Sequence, residues 1–114
     1  MTGLHLTAYF GVDRAMSILL EKGAKADSKD NDGRTPLSYA AQSGHEAIVK
    51  LLLTREGVDA DLKGNDGQTP LSCAAQSGHE AIVKLLLARE GVDADSKDND
   101  GQTPLSYVDR KSVV

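Results

Sequence analysis

Three sets of residues in this 114-residue chain are of types and spacings that chemistry uses. Ser96-Lys97-Asp98-Asn99-Asp100-Gly101 has the alternating carboxylates and the glycine of a calcium loop, in which ligands fall at positions 1, 3, 5 and 12 around a Gly at 6. With Gly101 sixth, Ser96 stands first and Tyr107 twelfth, so the bidentate glutamate is missing and solvated turn tips are the better reading. His45 and His79 invite a metal, yet each is followed four residues on by Val49 or Val83 where a zinc-protease helix carries its second His. They also occupy equivalent places in neighbouring copies of one unit, which stacked helices hold about 8 to 10 Å apart. Cys73 is a nucleophile by type, but Ala74 and Ala75 flank it and the pattern pairs it with no base, so packing explains it better. No catalytic residues, metal ligands or cofactor site are expected, and the chain reads as a non-enzyme.

The bulk composition narrows the classes further. One domain of ordinary size fits this length. Aromatics are only 4% and Trp is absent, which leaves Leu, Ile, Val and Ala to fill a helical core. A net charge of -4 argues against nucleic acid, because neutralising phosphates needs a clustered excess of Lys and Arg. A single Cys excludes an intramolecular disulfide and suits a reducing compartment, cytoplasmic or nuclear. No signal-like start and no membrane-length apolar run is visible, so no membrane partner is expected.

The elements that must position these residues come from repetition. Thr35-Pro36-Leu37-Ser38 recurs as Thr69-Pro70-Leu71-Ser72 and as Thr103-Pro104-Leu105-Ser106, 34 residues apart each time. Residues 35–68 and 69–102 differ only at Tyr39/Cys73, Thr54/Ala88, Leu62/Ser96 and Gly64/Asp98. A more divergent unit fills residues 2–34, and residues 103–114 form a partial fourth. The single domain spans 1–114.

Within one unit, Thr35 before Pro36 is a hydroxyl cap with Pro at the first helical position, and Gly44 closes that short helix. His45-Glu46 open a second helix whose Ile48, Val49, Leu51, Leu52 and Leu53 supply an apolar stripe, with Glu46, Lys50 and Arg55 toward water. Gly57 ends it. Asn31-Asp32-Gly33, Asn65-Asp66-Gly67 and Asn99-Asp100-Gly101 then mark tight turns, so each unit is expected to close in a hairpin-like finger.

Thr-Pro-Leu, then Ala40-Ala41-Gln42-Ser43-Gly44-His45, then Ile48-Val49-Lys50-Leu51-Leu52-Leu53 and a Gly resemble the ankyrin-repeat pattern over essentially the whole chain. Two departures stand out. The family's His after Thr-Pro-Leu is kept as His5 and replaced by Ser38, Ser72 and Ser106. Glu56 and Glu90 lengthen the later units by one residue, a small bulge after the second helix. The resemblance implies an all-α repeat solenoid of helix-turn-helix units joined by β-hairpin-like fingers, with His45 and His79 structural at the turn between helices. A lone unit leaves an apolar side bare, so stability must come from stacking. Met1 at a unit boundary, with no polar cap before it, reads as a segment of a longer array. At the other end Leu105, Tyr107 and Val108 lack a covering helix, while Asp109, Arg110 and Lys111 make a makeshift polar cap. Such a chain is expected to be monomeric, with Val113 and Val114 favouring weak end-to-end association.

The resemblance also implies a protein partner on the concave face, met by finger tips and the exposed part of each first helix. The matching positions are Tyr9 and Phe10 in the first unit; Asn31, Asp32, Arg34, Gln42 and Ser43 in the second; Asn65, Asp66, Gln68, Gln76 and Ser77 in the third. Asn99, Asp100, Gln102, Arg110 and Lys111 belong to the last. Tyr9, Phe10 and Arg34 are anchor types in this set. Asp59, Asp61, Asp66, Asp93, Asp95, Asp98 and Asp100 make the fingers the negative edge, which favours a basic segment of a partner. The expected function is a protein-interaction module or scaffold. The alternative is a structural spacer, or a sensor segment like the long ankyrin arrays on nucleotide-binding oligomerisation receptors.

Overall fold

The computed structural model describes residues 3–106. Six helices follow in pairs: α1 (Gly3–Phe10) with α2 (Asp13–Glu21), α3 (Pro36–Ser43) with α4 (Glu46–Leu53), and α5 (Pro70–Ser77) with α6 (Glu80–Ala88). A further helical turn begins at residue 104. Helices α1, α3 and α5 stack in one row and α2, α4 and α6 in a second, which is the arrangement of a repeat solenoid. The readings that concern Tyr107 to Val114, including the polar cap, lie outside the described residues.

Each first helix starts where its chemistry says it should. Thr35 Oγ1 accepts from the Ser38 amide at 3.2 Å, Thr69 Oγ1 does the same for Ser72, and Pro36 and Pro70 take the first turn, where no amide donor is needed. Ser38 and Ser72 share this bond through their own hydroxyls, 3.2 Å from the Thr oxygens. The serines thus serve the cap of their own helix, whereas His5 Nε2 reaches out 2.8 Å to the Arg34 carbonyl.

Gly44 ends α3 in the left-handed conformation with φ 82°. It has a second duty, because a Cβ there would lie 2.7 Å from the His79 ring of the next unit. Gly11 stands in the same relation to His45. That close approach is what lets the histidines act: His45 Nε2 donates to the Tyr9 carbonyl at 2.8 Å and His79 Nε2 to the Gln42 carbonyl at 3.0 Å. Each satisfies an orphan carbonyl near the end of the preceding unit's first helix.

Ile48, Val49 and Leu52 are buried in α4, and Ile82 and Leu86 repeat the pattern in α6. Leu51 and Leu53 are only partly covered, so the apolar stripe is narrower than the run of aliphatics suggests. Arg55 and Arg89 do not simply face water. Arg55 Nη2 donates to the Leu20 carbonyl at 3.3 Å, and Arg89 bonds the Leu53 carbonyl at 2.6 Å and the Val58 carbonyl at 3.1 Å. A guanidinium at the C-terminal end of the neighbouring helix meets its partial negative charge as well as its unpaired carbonyls.

The fingers turn back as expected, but by a different turn. Gly33 donates to the Asp30 carbonyl at 2.9 Å and Asp30 to the Arg34 carbonyl at 3.0 Å, which puts Asn31-Asp32 at the centre and Gly33, at φ 72°, in the closing position. No residue other than glycine has positive φ among those described, so this is not the two-residue Asp-Gly turn that needs it at both centres. No strand is formed among the described residues.

Candidate interaction groove on the finger face

The fingers are joined to one another by a ladder. The Asn65 amide donates to the Asp32 carbonyl at 2.9 Å while its side-chain Nδ2 donates to the Asn31 carbonyl at 3.1 Å. One unit on, Asn99 repeats both bonds, to Asp66 at 3.0 Å and to Asn65 at 2.8 Å. Asn65 and Asn99, expected at the partner-facing surface, therefore spend their side-chain donors on the fingers themselves.

The acidic residues divide in the same way. Asp27 and Asp61 each accept an amide of the next unit, from Asp59 and Asp93, at 2.9 Å. Asp59 and Asp93 accept from Asp61 and Asp95 at 2.9 Å. Asp98 Oδ1 takes the amides of Asp100 and Gln102, both at 2.9 Å, which spends on the turn the oxygen a cation would need. Among the described residues no group of three or more His, Cys, Asp or Glu is placed to hold a metal ion. Asp32, Asp66 and Asp100 are exposed at the tips, and of these Asp66 Oδ1 accepts the Gln68 amide at 3.0 Å.

Between the first two fingers these tips border an open groove of about 470 Å³, lined by Tyr9, Asp32, Arg34, Tyr39, Gln42, Asn65 and Asp66. Arg34 is its centre. Nη2 donates to Asp66 Oδ2 at 3.4 Å, Nη1 donates to Gln42 Oε1, and the guanidinium carbon lies 5.8 Å from the centre of the Tyr39 ring. Tyr39 itself packs edge-on to His5 at 5.7 Å and tilted to Tyr9 at 6.1 Å. Phe10 is outside the groove lining but two-thirds exposed, with its ring 5.0 Å from that of Tyr9.

Tyr39 stood out in the sequence only as a position where two units differ, and its polar end is what sequence reasoning missed. Its phenol donates to Asp30 Oδ2, nine residues back, while Asp30 Oδ1 accepts the amides of Asp32 and Arg34 at 3.0 Å. Partial burial works against the charged carboxylate, but these donors outweigh it and hold Asp30 below the usual Asp range. Burial first, and then the bond to a carboxylate, push Tyr39 up to about 12. The phenol thereby ties the first finger to α3 and fixes where Arg34 leaves the backbone. A signal for this was available: Asp30 and Asp98 go with Tyr39 and Tyr107, whereas Gly64 goes with Cys73.

In the next unit Gln68 replaces Arg34, donating from Nε2 to Gln76 Oε1 at 2.8 Å and accepting from Cys73 Sγ at 3.7 Å. Cys73 is buried, and that burial pushes its thiol up to about 11, the opposite of an activated nucleophile. Ser43 and Ser77 are half-covered beside their helix ends, and Gln102 lies at the base of the third finger. Arg110 and Lys111 lie outside the described residues.

A family model of ankyrin repeats, built of three copies, matches residues 1–64 and 48–108. Over 53 residues, 46% of this chain, the sequence is 42% identical to Rabankyrin-5 of Homo sapiens, a stretch that covers 4% of that protein. It is 36% identical over 52 residues to the ADP-ribosylation factor GTPase-activating protein AGD4 of Arabidopsis thaliana, covering 46% of the chain and 7% of that protein. A putative ankyrin repeat protein, FPV223 of Fowlpox virus (strain NVSL), is 38% identical over 52 residues, 46% of the chain and 37% of its own length. The chain thus spans a small part of the first relatives it resembles.

Proposed function

The chain belongs to the ankyrin-repeat family, whose repeats are general protein-interaction modules, and from that premise we propose that it binds a partner protein on the finger face, centred on the groove around Arg34. One observation carries this reading. Of the four differences between residues 35–68 and 69–102, Tyr39/Cys73 and Gly64/Asp98 lie beside Arg34, whereas Thr54/Ala88 and Leu62/Ser96 are not among the groove's lining. Arg34 stands where the other fingers have Gln68 and Gln102, Gly64 where they have Asp30 and Asp98, Cys73 where neighbours have Tyr39 and Tyr107, and Tyr9 where they have Gln42 and Gln76. A Cβ on Gly64 would lie 3.4 Å from Arg34 Cγ and 3.2 Å from Asp66 Oδ1, so the glycine leaves room for the Arg34 side chain to cross to the second finger. Arg34 and Asp66 are also the charges that act on Cys73.

The acidic tips Asp32 and Asp66 flank a single cation, which favours a basic segment of the partner by complementary potential. The reading makes the chain a scaffold without catalysis of its own. No helix among the described residues is long and apolar enough to cross a membrane. The spacer alternative draws on the bonds from His45, Arg55, Asn65 and Asp59 back to the preceding unit, which stiffen the stack whether or not a partner binds.

Affinity capture decides between the two. The parent chain is compared with a variant carrying Tyr9→Ala, Phe10→Ala and Arg34→Glu, after both give the same helical circular dichroism. A protein held by the parent and lost by the variant supports the groove; retention by both chains, or by neither, rejects it.

A further inference from the structure

Most polar groups that line the groove between the first two fingers are already engaged. Arg34 is tied to Gln42 and, at 3.4 Å, to Asp66, whose other oxygen accepts the Gln68 amide at 3.0 Å. The Asn65 side chain donates to the Asn31 carbonyl, and the Tyr39 phenol to Asp30. Asp32 is different. Its amide and its carbonyl serve the finger, but its exposed carboxylate makes no hydrogen bond or ion pair among the described residues.

The wall near that carboxylate is aromatic. Tyr9 lines the same groove and is 46% exposed, with its ring held 5.0 Å from that of Phe10 and 6.1 Å from that of Tyr39. Asp32 adjoins Tyr39 from the finger side: burial and the bond to Asp30 do most to keep the proton on that phenol, and the charge of Asp32 adds to them. Tyr39 is thus a common neighbour of the Tyr9 ring and the Asp32 carboxylate, and all three line one cavity of about 470 Å³. That volume lies within the range of small-ligand clefts, about 300 to 1,000 Å³, which is room for a long side chain beside Arg34. Gln42 and Gln76 take the place of Tyr9 in the later units, so the ring belongs to this groove.

Charge chooses the side chain. Asp32 and Asp66 are two carboxylates against the one guanidinium of Arg34, which leaves the lining one negative charge in excess. We propose that this groove seats an arginine side chain of the partner, its guanidinium paired to the Asp32 carboxylate and lying against the Tyr9 ring. A carboxylate with both oxygens open accepts a forked donor at two points, and a planar cation gains further from an aromatic neighbour. A lysine ammonium would meet the same carboxylate as a single point and lose the planar contact. Arg34 does not oppose the second cation, because its own charge is met by Asp66. The inference rests on the reading of the finger face as a protein-binding surface and assigns to it one chemical group at one place.

The test is a titration followed by backbone amide NMR, with acetyl-Gly-Arg-Gly-amide as the probe and the Lys and citrulline tripeptides as controls, citrulline being the uncharged isostere of Arg. In the parent chain the Arg probe is expected to shift the amides of Tyr9, Asp32 and Gly33 to saturation, about tenfold more tightly than the citrulline probe and more tightly than the Lys probe. Asp32→Ser should weaken the response about tenfold and Tyr9→Leu about fivefold. Asp100→Ser, the same change at the tip of the third finger, should leave it as in the parent. The proposal is overturned by a parent whose finger amides do not respond, or by an Arg probe that acts like either control. An Asp32→Ser chain that titrates like the parent, or no worse than Asp100→Ser, overturns it too. If one of those results appears while captured partner is still lost with the triple variant, the interaction face stands and only the arginine seat falls; if capture is unchanged as well, both fall.

Discussion

The Tyr39 phenol donates to the Asp30 carboxylate, and this bond fastens the first finger to the helix that begins five residues after it bends. Because the finger's own amides from Asp32 and Arg34 converge on the same carboxylate, its orientation depends on charge at one residue. The direction of Arg34 follows from it.

Stability should respond to alkali through this pair. The phenol is raised in the folded chain to about 12, above the unfolded Tyr value of about 10. Its contribution is present in full below pH ~10 and lost as pH rises through ~12. Chemical denaturation at pH 8 and pH 11.5 should show a smaller loss for Tyr39→Phe than for the parent. Asp30 acts in the opposite sense: held below the usual range, it contributes above pH ~4 and is lost as the solution becomes more acid than that.

Gly44 and Gly57 separate backbone strain from collision. Both have positive φ, 82° and 84°, but a Cβ on Gly44 meets the His79 ring at 2.7 Å while one on Gly57 meets nothing within 4 Å. Gly57→Ala should cost about 1 kcal/mol, the left-handed penalty alone. Gly44→Ala should cost more by about 1 kcal/mol, since it also breaks the His79 bond to the Gln42 carbonyl. Denaturant midpoints of Gly44→Ala in a His79→Ala background check the second part, where the extra cost should disappear.

Arg89 closes the end of α4 from the following unit. Arg89→Met keeps much of the stem and removes both bonds, and should destabilise by about 2 kcal/mol, as expected for buried carbonyls losing charged donors. Lys84→Met, on an exposed site of the same unit, should change unfolding by less than ~0.5 kcal/mol.

The second finger can be given the lock it lacks. Cys73→Tyr alone overpacks a buried site and leaves a phenol without its acceptor. Adding Gly64→Asp supplies the acceptor, so the double variant should be more stable than the sum of the singles by about 1 kcal/mol in a double-mutant cycle. The same change should weaken the contact between Arg34 and Asp66, because the added Cβ lies 3.2 Å from Asp66 Oδ1, which must give way. Loss of binding together with favourable coupling between the two substitutions is the expected combination.

Local chemistry made much of the fold legible. Thr35 with Pro36, Gly44, and the aliphatic run from Ile48 to Leu53 each declare an element within a few residues of themselves, and their recurrence declares stacking. What joins one unit to the next was not legible in that way. Arg55 and His45 read as a solvated charge and a turn residue until the preceding carbonyls of Leu20 and Tyr9 are placed beside them, 35 and 36 residues away. At the groove, Arg34 and Tyr9 stood out by type. Asn65 did not reveal that its side chain is used between fingers, and Tyr39 hid a polar role behind an apolar position.

The most direct test of the central claim is hydrogen exchange on the chain with and without a captured partner. The account predicts new protection at residues 31–34, 65–68 and 76–77, with the outer helices α2, α4 and α6 unchanged. Protection confined to those outer helices, with the finger amides exchanging as in the free chain, would contradict it.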